Sequence, residues 1–101
     1  MLYTTWPDDE SAKAAAKTLV EARLVACANR FPIGSTYRWE GKVEEGLEVV
    51  LLLKTTRQAV QKTVDKVLAI HPYTNPCVLV LPVEGGNNAF LQWVARETSS
   101  T

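Results

Sequence analysis

The chain is short of most things that catalysis and polyanion binding use. Its single histidine, His71, removes paired-histidine metal motifs and limits imidazole base chemistry to one group. Its two cysteines, Cys27 and Cys77, lie far apart, with no CxxC pair and no disulfide framework. Net charge is missing too, because eleven basic residues oppose eleven acidic ones. A nucleic-acid binder normally carries a basic excess or a basic face, so this balance argues against a polyanionic partner. No GxSxG, Walker-type glycine loop or GxGxxG occurs. No apolar run approaches the ~20 residues that cross a bilayer. Met1 leads directly into an apolar stretch, without a basic n-region or a small-residue cleavage site. The expectation is a cytoplasmic protein, off the membrane, with both thiols reduced.

What is present is an ordinary globular balance: 101 residues, 47% hydrophobic and 22% charged. That length suits one domain over residues 1–101. Leu2, Tyr3, Thr4 and Thr5 favour a strand, which Trp6-Pro7 ends. Asp8, Asp9, Glu10 and Ser11 follow as capping residues for a helix whose apolar stripe is Ala12, Ala15, Ala16, Leu19, Val20 and Leu24. Residues 25–31 form a second strand. Pro32 and Gly34 predict a bend or bulge in it before the chain resumes over 35–39. Glu40-Gly41-Lys42 makes a turn, Glu44-Glu45-Gly46 a further irregularity, and the apolar run at 48–54 a strand buried on both faces. Thr55 or Thr56 caps a second helix with the stripe Val60, Val64, Val67 and Leu68, ending at His71-Pro72. A final apolar strand covers 78–83. A short helix covers 89–96 with Phe90, Leu91 and Val94 inward, and 98–101 is a frayed tail.

The order β-α-β-β-α-β predicts an α+β fold, a ferredoxin-like sandwich with an extra short C-terminal helix. Both crossovers place their helices on one side of a four-stranded antiparallel sheet. The strands show no polar alternation, so the other side needs a cover that one short chain lacks. A partner subunit is the simplest one.

Candidate sites are few. Cys27, His71 and Cys77 are the soft-metal candidates, thiolate and imidazole being ligands for copper or zinc, although each cysteine also reads as a small buried hydrophobe. Trp6, Tyr37, Trp39, Tyr73 and Trp93 suit an interface, a small-molecule pocket or the rim of the core. Glu40, Glu44, Glu45 and Glu48 read as a solvated edge that discourages strand addition. Gly85-Gly86-Asn87-Asn88 reads as a turn and helix cap, with an anion site as the rarer use. The topology alone does not decide function. An RNA-recognition module would carry aromatics on the strand at 48–54, and none occurs there. A copper chaperone would have CxxC in the first loop, where this chain has Thr5-Trp6-Pro7-Asp8.

Several blocks occur together and in order. They are Tyr3-Thr4-Thr5-x-Pro7-Asp8, Leu19-Val20-Glu21-x-Arg23-Leu24-x-Ala26-Cys27-x-Asn29, Ser35-x-Tyr37-x-Trp39-Glu40-Gly41-Lys42, Lys54-Thr55, His71-Pro72-Tyr73 and Trp93. Over nearly the whole chain these resemble the CutA family of divalent-cation tolerance proteins. The resemblance implies a homotrimer similar in design to PII signalling proteins, with hairpins pairing across subunit boundaries. It places Trp6, Tyr37, Trp39, Glu40, Lys42, Tyr73 and Trp93 at the trimer interface or its clefts. It also implies an association with copper and other divalent metals and no established catalysis. Cys27 and His71 occupy the family's ligand positions, and Cys77 stands where relatives carry a glutamate, which shifts preference towards softer metals. The expectation is a non-enzymatic trimer of copper tolerance that requires no cofactor and ligates copper through Cys27, His71 and Cys77. The alternative is a PII-like structural or signalling trimer whose intersubunit clefts bind a small anion or a protein partner.

Overall fold

The structure is a computed structural model, and it describes residues 1–98. Strand β1 (Leu2–Trp6) leads into helix α1 (Asp9–Glu21), which Asp8 starts. Asp8 is extended, and its Oδ1 accepts the Ser11 N–H at 2.8 Å, filling one of the four donors that open a helix. That backbone bond, and then the Ser11 side chain, hold the Asp8 carboxyl below its usual range. Asp9 and Glu10 add charge of the sign that the helix dipole favours. The helix stops at Arg23, which takes a left-handed φ of 59°. Arg23 N–H donates to Val20 O and Leu24 N–H to Leu19 O, the Schellman closure that usually employs glycine. An arginine there reaches α3 (Asn88–Glu97), donating from Nη2 to Arg96 O at 2.9 Å.

Strands β2 (Cys27–Trp39) and β3 (Lys42–Lys54) form a long hairpin closed at Glu40 and Gly41, with φ of 50° and 79°. Positive φ at both turn residues matches the twist of the two strands. After a 3₁₀ turn at Arg57–Ala59, started by Thr56, come α2 (Val60–Ile70) and β4 (Val78–Val80). The sheet order is β2-β3-β1-β4, all antiparallel, as the ferredoxin-like expectation requires.

The core lies between the sheet and the helices. Leu2, Trp6, Val49, Leu51 and Leu53 point to that side and meet Ala12, Ala15, Ala16 and Leu19 of α1 and Val67 of α2. Three alanines let α1 lie close on the strands. Thr4 shares this side, and its hydroxyl is a polar link within the layer: it donates to Leu51 O at 2.9 Å and accepts the Trp6 indole N–H at 2.7 Å.

Several expectations need correction. Pro32 and Gly34 do not interrupt β2, nor does Gly46 interrupt β3: the strands pair residue for residue from Cys27–Lys54 to Trp39–Lys42. As the edge strand, β2 can aim the missing proline N–H outward at no cost to the ladder. Strand β4 stops at Val80, although Leu81 still donates to Met1 O, and its residues are not buried on both faces. In α2 the buried polar residue Thr63 takes the place given to Leu68, which is 51% exposed. Thr63 is satisfied there by Ala59 O at 2.8 Å and Leu24 O at 3.2 Å. In α3 only Val94 turns inward, while Phe90 and Leu91 stay partly exposed. Thr98 is buried, not frayed, and the rest of the expected tail lies outside the described residues.

Thr4→Val keeps the shape and removes both hydrogen bonds, leaving a buried indole N–H unpaired. The expected loss is about 1–3 kcal/mol, read from urea unfolding at fixed protein concentration. A change within about 0.5 kcal/mol would show that the Thr4 link is dispensable.

Candidate functional site

The sheet side opposite the helices carries the site. Strand alternation puts Tyr3 and Thr5 of β1 on it, with Phe31, Ile33, Ser35, Tyr37 and Trp39 of β2 and Glu48 and Val50 of β3. A groove of about 830 Å³ runs along this side, walled by the loop after α2. Its lining includes Tyr3, Tyr37, Trp39, Glu48, Tyr73 and Cys77. That volume lies within the range of small-molecule sites.

His71 anchors the wall. Pro72 ends α2 by disfavouring helical angles at His71, which turns extended. Its ring lies 4.0 Å from the Trp6 ring, stacked, and 4.9 Å from the Tyr73 ring. The Tyr73 N–H donates to Nδ1 at 3.1 Å, so Nδ1 carries no proton. Nε2 therefore bears the hydrogen and donates it to Thr5 O at 2.8 Å. Burial pushes the imidazole pKa down, against the opposing pull of the Thr5 carbonyl and the Glu48 charge. His71 is thus a neutral clasp between β1 and the loop.

Beyond it, the Tyr73 hydroxyl donates to Glu48 Oε2 at 3.0 Å. Burial first, and then this bond and the Glu48 charge, push the phenol up to about 12. Burial, with the Glu48 charge behind it, also raises the Cys77 thiol, although a hydrogen bond with the Thr5 side chain pulls the other way. Near neutral pH, then, Tyr73 and Cys77 stay protonated.

The structure divides the expected site residues. Tyr37, Trp39 and Tyr73 line the groove, and Glu40 and Lys42 sit exposed at the hairpin turn. Trp6 does not belong with them. It is 1% exposed within its own chain, tied to Thr4 by a hydrogen bond and stacked on His71. Trp93 packs on Phe90 in α3, with ring centroids 5.5 Å apart, away from the groove. The three metal candidates do not meet within one chain. Cys27 opens β2 and Cys77 precedes β4, the two outer strands, so about 14 Å of sheet separates them at ~4.8 Å per strand. His71 has both ring nitrogens engaged. Among the described residues no three of His, Cys, Asp and Glu gather into a metal-sized group.

Glu48 was missed. Grouped with Glu40, Glu44 and Glu45 it reads as solvated edge, yet it is half-buried and held by Tyr73. The available signal was its place at the start of the buried run. Tyr3 and Thr5 were missed as well, though the period of two in β1 puts both on the groove side.

These features define a class: a ferredoxin-like α+β protein with one unclad sheet side and a ligand-sized groove on it. The sequence profile of the CutA1 divalent ion tolerance protein matches residues 1–97. The chain belongs to that family. It is 46% identical to the divalent-cation tolerance protein CutA of Thermus thermophilus, over 97% of this chain and 96% of that one. It is 44% identical to the human protein CutA over 97% of this chain and 55% of the longer human one. The solved structure of the periplasmic divalent cation tolerance protein CutA from Archaeoglobus fulgidus superposes with a TM-score of 0.95 at 40% identity, covering 97% of this chain and 96% of that one.

His71 makes stability depend on pH with a definite sign. Its folded pKa lies below the ordinary 6.5, so the unfolded chain takes up the proton first as pH falls. Stability contributed by the neutral ring is complete above 6.5 and declines as pH drops through that value. Urea midpoints from about pH 7.5 to 5 should fall, and His71→Gln should flatten the fall. An equal slope in both proteins would show that another group titrates.

Proposed function

We propose that this protein is a non-enzymatic homotrimer serving copper tolerance, with ligand grooves bordered by neighbouring chains. The observation that carries the assembly is the hairpin. Strand β1 pairs with β3 only at residues 49–53, so the far halves of β2 and β3 run on as a two-stranded ribbon. Two strands alone are marginal in water. This ribbon nonetheless exposes Leu47 at 86%, Val43 at 63% and Trp39 at 52%. Strand β4 offers an unpaired edge at the opposite side of the sheet. A ribbon on one side and a free edge on the other make a head-to-tail contact, which closes into a ring when the rotation allows. Three subunits is the number that the family resemblance implies.

Copper is the metal that suits the donors. Cys27 and Cys77 are both free thiols, half-buried, and thiolates favour Cu(I). His71 joins them only by giving up Tyr73 N–H or Thr5 O. The alternative reading, a PII-like trimer with a small ligand in its grooves, draws support from the groove itself. An anion is the wrong sign for the part of it that this chain supplies, because Glu48 is the charged residue there.

Light scattering at micromolar concentration should return three times the 11.2 kDa chain mass. Leu47→Glu with Val43→Glu should lower it towards a single chain, and a wild-type monomer would end the assembly reading. Separately, anaerobic Cu(I) titration against a competing chelator should show about tenfold weaker binding in Cys27→Ser and Cys77→Ser. Unchanged affinity in both variants would remove copper from the function.

A further inference from the structure

We propose that the groove binds a monovalent organic ammonium, its charged head set against Glu48 beside the rings of Tyr37 and Tyr73 and its apolar body along Ile33. The inference rests on the reading above, in that the assembled protein must keep the groove open.

Four points carry it. Glu48 is the charged residue of the lining that this chain supplies, and no lysine or arginine of the same chain stands beside it there. The Tyr73 hydroxyl takes one carboxylate oxygen, orienting the group and leaving Oε1 to receive a donor. Tyr3, Tyr37, Trp39 and Tyr73 supply aromatic faces, whose negative quadrupole attracts a cation, most strongly one that is weakly hydrated. Tyr37 and Tyr73 line the same groove, so the two rings belong to one neighbourhood.

The count of charges selects the cation class. Glu48 is the one formally charged side chain among the lining residues that this chain supplies. A hard divalent ion seeks six or more oxygen ligands and several charges, and one carboxylate does not supply them. An ammonium on an apolar body needs one carboxylate, aromatic walls and an apolar floor. Ile33, paired across from Glu48 on the same side of the sheet, provides that floor.

The test uses the full chain with EDTA present, titrated calorimetrically with 2-phenylethylammonium, neutral 2-phenylethanol and anionic 3-phenylpropanoate. The ammonium should bind at least about tenfold more tightly than the other two, corresponding to about 1.4 kcal/mol. Glu48→Gln should erase that preference, and Tyr37→Leu, at an exposed position, should weaken ammonium binding several-fold. Equal binding of alcohol and ammonium, an unchanged Glu48→Gln variant, or no binding up to about 50 mM would each overturn the proposal. Light scattering on the same samples separates the two readings. A trimer that ignores the ammonium sinks only this inference, and a monomer sinks the assembly reading.

Discussion

Strand β1 has five residues and its neighbour β3 has thirteen, and most of the architecture follows from that mismatch. Where β1 pairs, the sheet has its full set of strands with two helices above it, and β1 and the facing part of β3 are largely buried. Where β1 ends, at Pro7, nothing continues the sheet past β3, and the hairpin leaves the globule as a ribbon. The molecule is therefore 45 Å long but only 25 and 21 Å across. One chain thus combines a well-packed sandwich with an arm that finds no partner in it. Hydrophobic side chains on the arm have a use only in contact with something else.

A second theme is continuity between core and groove. Leu51 O receives Thr4, Thr4 receives Trp6, and Trp6 stacks on His71. His71 then clasps Thr5 O and Tyr73 N–H, and Tyr73 reaches Glu48. Each step is a hydrogen bond or ring contact between groups whose positions are set by strands or by a proline-limited loop. The groove wall is thereby referenced to the rigid side of the sheet, and a carboxylate beside aromatic rings is held in place before any ligand arrives.

Much of this was legible from residue order. The stripe of alanines in α1, the Asp8 cap, the unbroken run at 49–53 and the histidine before a proline each signal a local structure with one dominant cause. What misled were residues with two possible causes. Pro32 and Gly34 break strands in general, but an edge strand tolerates them, and edge status depends on tertiary order. Leu68 fits a helical stripe, yet Thr63 is the buried residue because two carbonyls await its hydroxyl, a fact invisible along the chain. Trp6 looked like an interface aromatic because tryptophans often are, whereas the neighbouring threonine and histidine hold it inside. Glu48 was hidden among other glutamates. Strand alternation separates it from Glu45, and only the returning loop brings Tyr73 to it.

The hairpin pairs residue for residue along its whole length, without a bulge, and this limits how such an arm can change over time. Losing or gaining one residue in either strand would turn every side chain beyond that point to the opposite side. Tolerated changes in reach therefore come as two residues in each strand together, a step of about 7 Å. The arm behaves as a ruler with coarse graduations, and its length is a discrete trait that drifts in sequence far more easily than in span.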